Sequence, residues 1–410
     1  MEIKKGLSHW ATAAISWLRS HTPLWLSGLV RRGLRAAAEA PQLDRLDRAA
    51  ATAFDRVFCE GMAKDPEGFP AKWQKLLDEG AFDDLYDSAA EEMATKVYGS
   101  LRESAPRLAR NLRRDELRLA RRMRRVWGRA DIAFQANNYL GYELGAHIAR
   151  SGKQHSPKMV ALLGAHGRAL RTASEVRQLA MSGFHAGATA RWRSLHELSV
   201  LVCVLNQADE VISERYLAYA RIEQLRDLKH FQQHAEALKR RPFGPDEVEL
   251  TEQQAAETVE RWGPEMKKEN GWAFPLFIGQ KRVTFVDLES LAGLSYLRPF
   301  YRLGSNHIHS GSRASELNLT DLTPHGTPAI TVGASVFGDI AETCHGAMIS
   351  VHQATEALVS GFLNESTDGG LDLLVGLKAQ SRFIDESGEL WGYAADEARA
   401  RGWFSHGPDD

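Results

Sequence analysis

The chain has 410 residues, 43% of them hydrophobic and 25% charged. That composition excludes wholesale disorder and leaves enough chain for a sizeable core, in two domains or in one large helical domain with an extension. The formal net charge is −2, so affinity for nucleic acid or an anionic membrane has to come from local clustering of charge. Three widely spaced cysteines, Cys59, Cys203 and Cys344, have no CxxC spacing. They imply no disulfide framework and a reducing compartment, so a cytoplasmic location is expected.

At the N-terminus, Trp10, Trp17 and Trp25 stand near Arg31 and Arg32 in an apolar stretch broken by Ser8, His9, Arg19, His21 and Pro23. The interruptions fall well short of the roughly 18–20 apolar residues of a membrane span, and no small-residue cleavage pattern follows. A helix docked on its own protein is expected there, and no membrane partner. From Leu43 to Ile148 alanine, leucine, arginine and glutamate predominate, which predicts helix. Residues 107–130, "RLARNLRRDELRLARRMRRVWGRA", space Leu108, Leu112, Leu117, Leu119, Met123 and Val126 for one apolar face amid a dense arginine run. Arg113, Arg114, Arg118, Arg121, Arg122, Arg124 and Arg125 are candidate contacts to a nucleic-acid backbone. The same pattern suits a solvated helix face whose arginines pair with acids elsewhere in the fold.

Gly, Ser, His and Pro interrupt the pattern at residues 149–158 and mark a boundary between an N-terminal region, 1–150, and a second domain, 151–365. That domain opens with two long helices broken near Ser182 and Gly183, followed by an amphipathic helix over 210–241 and another over 251–269. Thr284 or Asp287 is placed to cap a short helix. Residues 322–337 alone have strand-like composition, residues 339–363 form the last long helix, and the tail, 366–410, reads as peripheral. The fold class expected is all-α, a C-terminal helical bundle behind an arginine-rich helical region.

No phosphate-binding loop, dinucleotide fingerprint, HExxH or GxSxG occurs, so no cofactor is expected. His307 and His309 form an HxH pair, and His345 and His352 lie about two turns apart on one helix, but no companion ligands make a metal site of them. Arg193 and Glu197 stand four apart, within ion-pair reach on one helix that turns apolar after Leu195. Such a pair is either a structural clasp or a positioned binder of phosphate.

Two segments carry a family resemblance. In "AGATARWRSLHELSVLV" the residues Arg193, Ser194, Leu195 and Glu197 fit an R-[ST]-L-x-E helix, and in "PFYRLGSNHIHSGS" the residues Tyr301, Ser305 and His309 fit Y-x-x-x-S-x-x-x-H. Over residues 155–360 the chain resembles the bacterial domain-of-unknown-function family 5677, which implies a helical domain and these candidate positions. A looser likeness is to HEPN-type ribonucleases, dimeric helical bundles with an R-x(4–6)-H motif. Arg302 with His307 or His309, and Arg191 with His196, satisfy that spacing, although Leu303 and Trp192 stand where a polar residue usually follows the arginine.

The likeness implies metal-independent RNA cleavage by an effector of the bacterial defence or toxin kind, assembled as a homo-oligomer. Arg302 would stabilise phosphate, His309 would transfer protons, Ser305 and Tyr301 would orient, and Arg193 with Glu197 would support them. The competing expectation is a non-enzymatic helical module that binds nucleic acid or a protein partner through residues 107–129. On that account Ser305 and His309 hydrogen-bond the Arg193–Glu197 pair and lock two helices together.

Overall fold

The computed structural model describes residues 82–151, 155–306, 308, 319–322, 328–330, 340–366 and 370–400. The chain divides into two compact units, residues 1–116 and 117–410. In the first unit the described residues belong to α1 (Phe82–Ala149), whose second half lies in the second unit. Helix α1 ends in a turn at residues 150–151, inside the second unit.

The second unit is all-α apart from one short ladder. In its part of α1, Met123, Trp127, Ala130 and Phe134 recur every three or four residues and are buried, which sets the inward face. Helix α2 (Pro157–Met181) starts where Ser156 Oγ accepts a hydrogen bond from the Met159 amide and Pro157 occupies the first turn. It ends as expected at Ser182 and Gly183. The φ of +82° at Gly183 is the left-handed turn that lets α3 (His185–Gln207) fold straight back along α2.

Helix α4 (Glu210–His234) ends before the expected residue 241, and α5 (Pro245–Trp262) begins and ends earlier than the expected 251–269. The short helix α6 (Phe285–Leu291) carries the expected cap in full. Asp287 Oδ2 accepts from both the amide and the hydroxyl of Thr284, each at 2.7 Å. Helix α7 (Arg298–Asn306) follows, and β1 (Leu319–Leu322) pairs antiparallel with β2 (Pro328–Ile330), which lies in the segment of strand-like composition.

The core is a three-helix contact among α2, α3 and α8 (Ile340–Glu365), with α9 (Gly370–Ala400) against α8, α6 and α7 against α3, and α4 paired with α5. Leu162, Val176, Leu195, Val202, Leu205, Met348 and Leu358 are fully buried. Ala165, Ala169 and Ala173 on α2 keep its inward face small enough for close packing.

The tail expected to be peripheral is instead part of this core. Leu373, Trp391, Ala394 and Ala398 of α9 are buried, and Trp391 packs on Trp127 with ring centroids 5.6 Å apart. Its exposed Leu371, Leu374 and Val375 blur the helical stripe that would have revealed the inward face. No helix among the described residues is long and apolar enough to cross a membrane.

Two buried polar groups tie elements together. Arg215 of α4 donates to the carbonyls of Trp272 and Gly271, each at 3.0 Å, and to that of Trp262 at 2.6 Å, so one guanidinium fixes the connection after α5. Arg215→Met keeps the stem and strands those carbonyls, and is expected to cost on the order of 3 kcal/mol in chemical denaturation.

His166 of α2, buried, places Nε2 3.0 Å from Thr355 Oγ1 of α8. The Thr355 hydroxyl already donates to the Val351 carbonyl, so the neutral imidazole is the donor. Burial pushes the His166 pKa down to about 4 from its ordinary value near 6.5. The unfolded chain therefore binds this proton at higher pH than the folded one, and stability is full above pH 6.5 and lost as pH falls toward 4. The loss expected is about 3 kcal/mol in denaturation series across that window, and His166→Asn removes this part of the pH dependence.

Candidate functional site

The residues of the two resemblance motifs meet where α7 crosses α3. Arg193 Nη2 donates to the Tyr301 hydroxyl at 2.7 Å, that hydroxyl donates to Glu197 Oε1 at 2.6 Å, and Arg193 Nη2 lies 3.3 Å from the same oxygen. The guanidinium also sits over the Tyr301 ring, 4.6 Å from its centroid. Gly304 makes the crossing this close, since a methyl group there would lie 3.1 Å from the Thr189 carbonyl oxygen. Arg193 is partly buried at 22% side-chain exposure and Glu197 reaches solvent at 40%, so the triad forms a rim with one wet edge.

Beside that rim lies a second cluster, of which the sequence motifs include only His196. Glu289 of α6 has no solvent exposure and grips Arg298, the first residue of α7, through Oε2. Its other oxygen lies 2.8 Å from Nε2 of His196, also fully buried. Burial lowers the His196 pKa, with Glu289 pulling it the other way, so the ring is neutral and donates from Nε2. Around it, Trp192 stacks on His196, Phe285 stacks on Tyr301, and Arg298 lies over both the Phe285 and Tyr301 rings.

This geometry defines what the arrangement can do chemically. Burial and the hydrogen bond to Glu197 push the Tyr301 phenol up to about 12, so it stays protonated and bridges an arginine to a carboxylate. His196 has a shifted pKa but no access to solvent. Among the described residues, the cluster is a clasp that fastens α6 and α7 to α3.

The remaining candidates separate from it. Ser305 Oγ donates to the Tyr301 carbonyl of its own helix at 3.0 Å rather than reaching the Arg193–Glu197 pair. Of the single helical face expected to carry Tyr301, Ser305 and His309, the first two lie one turn apart on α7. His307 and His309 lie outside the described residues. Arg302 is exposed and makes no ion pair or hydrogen bond with a described residue.

The other R-x4-H match is divided, because Arg191 pairs with Glu175 of α2 while His196 is sealed inside. His352 Nδ1 lies 3.0 Å from the Gln380 side chain, and no group of His, Cys, Asp or Glu among the described residues has metal-binding geometry. Arg113, Arg114, Arg118, Arg121, Arg122, Arg124 and Arg125 are all exposed on α1.

The clasp and the second cluster lie entirely within residues 159–325. That segment matches DUF5677, a family of unknown function. The matched range starts close to the expected residue 155 and stops well before 360, so the DUF5677 segment holds α2 to β1 while α8 and α9, which complete its core, lie beyond it. No curated protein and no solved structure matches the chain.

In the DUF5677 segment, Glu289, His196 and Arg298 escaped sequence reasoning as a unit. Glu289 is in a seven-residue helix, too short for periodicity to show which side faces inward. Its removal is expected to be the most damaging change in the cluster. Glu289→Ala leaves the partly buried Arg298 and the fully buried His196 without their partner and should cost about 3 kcal/mol. Tyr301→Phe keeps the ring packing and loses only the bridging hydroxyl, for about 1–2 kcal/mol. Urea denaturation of both variants ranks them.

Proposed function

We propose that this protein binds nucleic acid through the arginine face of α1. The observation that carries the reading is a row of exposed arginines in the second unit. Arg118, Arg121, Arg122, Arg125 and Arg129 recur at helical spacing and fall within a sector of about 100°, opposite the buried Met123 and Trp127. No acidic residue occurs between Leu117 and Ala130.

The first acid after the row, Asp131, is taken by Arg177 of α2 through two hydrogen bonds of 2.6 and 2.8 Å. A stripe of guanidinium groups without an interleaved carboxylate is an electrostatic match for a phosphate backbone, and its affinity comes from displaced counterions. Arg113 and Arg114, exposed on the first-unit part of α1, belong to the same basic run. Replacing Arg121, Arg125 and Arg129 together by Gln is expected to weaken binding of a labelled oligonucleotide at least tenfold at low salt. It should also flatten the slope of log K against log salt by about 2 for a single strand. Unchanged affinity and slope would sink the reading.

A second reading, HEPN-like ribonuclease activity, is favoured by Arg302, a solvent-facing guanidinium beside the clasp with no described partner and in R-x4-H and R-x6-H register with His307 and His309. In that chemistry the 2′-oxygen attacks phosphorus, its proton passes to a histidine, and the 5′-oxygen leaves with a proton, giving a 2′,3′-cyclic phosphate. Structured RNA incubated in EDTA should then be cut by the parent protein and not by Arg302→Ala or His309→Ala. Absence of cleavage, or cleavage indifferent to both, removes this reading and leaves a binding module.

A further inference from the structure

Beyond the arginine row, the outward surface of α1 turns from basic to aromatic. Ile132 falls within the sector of the arginines, Tyr139 at its edge and Tyr142 about 60° beyond that edge. All three are exposed, Ile132 at 67%, Tyr139 at 61% and Tyr142 at 55%. The two tyrosine rings stand side by side, their centroids 6.3 Å apart and tilted by 35°. From Arg118 to Tyr142 the helix covers about 36 Å, at 1.5 Å per residue.

The tyrosines stand on rigid ground. On the opposite side of the helix, Asn137 is buried and its carbonyl accepts from Gln380 of α9, while Asn138 donates to Ser174 Oγ of α2 at 3.0 Å. Gly141 lies so close to Leu170, Thr355 and Gln380 that a methyl group there would meet all three within 3.2 Å. Helix α1 is thus held fast on its inner side while its outer side presents two aromatic rings to water. Glu143, one turn after Tyr139, pushes the Tyr139 phenol pKa up and ends the cationic character of the surface.

Resting on the nucleic-acid reading above, we infer that the ligand is an unpaired strand, its phosphates along Arg118–Arg129 and its bases on Tyr139 and Tyr142. A duplex offers the arginines the same phosphates, but its base faces are buried against one another and give the tyrosines nothing. Only an unpaired strand uses both halves of the surface, because every base has a face to stack and the backbone that carries it stays charged. The carboxylate of Glu143 fits that polarity, since it stands where bases rather than phosphates are expected.

The test measures fluorescence anisotropy with an unstructured strand of about 20 nucleotides, as DNA and as uncleavable 2′-O-methyl RNA, against a blunt duplex of equal length. The parent protein should prefer the single strand by about tenfold or more, and the tighter of the two chemistries names the source of the strand. Tyr139→Ala/Tyr142→Ala should fall to the duplex level, while Tyr139→Phe/Tyr142→Phe, which retains the rings, should keep the preference. Equal affinity of the parent for duplex and single strand overturns the inference, as does a preference that survives loss of both rings. An alanine pair that lowers the sedimentation mass and leaves the preference intact would show the face to be an interface between copies. If no oligonucleotide binds at all, the nucleic-acid reading itself fails; if binding depends on the arginines but not on strandedness, only this inference does.

Discussion

A carboxylate with no contact to water organises the DUF5677 segment. Glu289 would be costly to bury alone, and its charge is tolerated because Arg298 meets one oxygen and His196 the other. The three groups come from α6, α7 and α3, so satisfying one charge fixes three elements. Everything above follows from that docking. With Arg298 drawn inward at the start of α7, Tyr301 one turn later points at α3 and closes the Arg193–Glu197 pair. The aromatic shell of Trp192, Phe285 and Tyr301 keeps water from the carboxylate and strengthens each of these interactions.

How much of this could be read in the sequence depended on whether a local rule carried it. The cap of α6 was legible because Thr284 and Asp287 are three residues apart and their geometry is local. The break at Ser182 and Gly183 was legible because only a residue tolerant of positive φ can turn α2 back on itself there. The meeting of Arg193, Glu197 and Tyr301 could be anticipated as a question, since the four-residue spacing within α3 is local and the motif in α7 supplied the other side.

Glu289 could not be found that way, because its partners His196 and Arg298 are 93 residues upstream and nine residues downstream, and no pattern links them. Helix α9 was misjudged for a related reason. Its mixed surface conceals that Trp391 fills the space beside Trp127, a contact between the two ends of the second unit's sequence. Ser305 illustrates a third case, in which a hydroxyl with the right spacing satisfies itself on its own helix.

The two features of greatest chemical interest divide the labour of charge differently. In the clasp every cation meets an anion at close range: Arg193 meets Glu197, and Arg298 meets Glu289. Such pairs specify a geometry and leave little field outside it. On α1 the arginines stand in series, with no carboxylate between Leu117 and Ala130 in the sequence. A net charge of −2 for the whole chain conceals this separation, which exists only at the level of one helix face.

The pair of Asp131 and Arg177 links the two arrangements. Asp131 follows Arg129 by two residues, and its exposure is only 9% at the side chain. Both its oxygens are occupied by the Arg177 guanidinium, and Gln135 donates to Oδ2 as well. A carboxylate that accepts a bidentate guanidinium has little field left for a third cation nearby. The contact that docks α1 onto α2 therefore also withdraws the anion that follows the arginine row, so the packing of the second unit and the potential of its surface have a common origin.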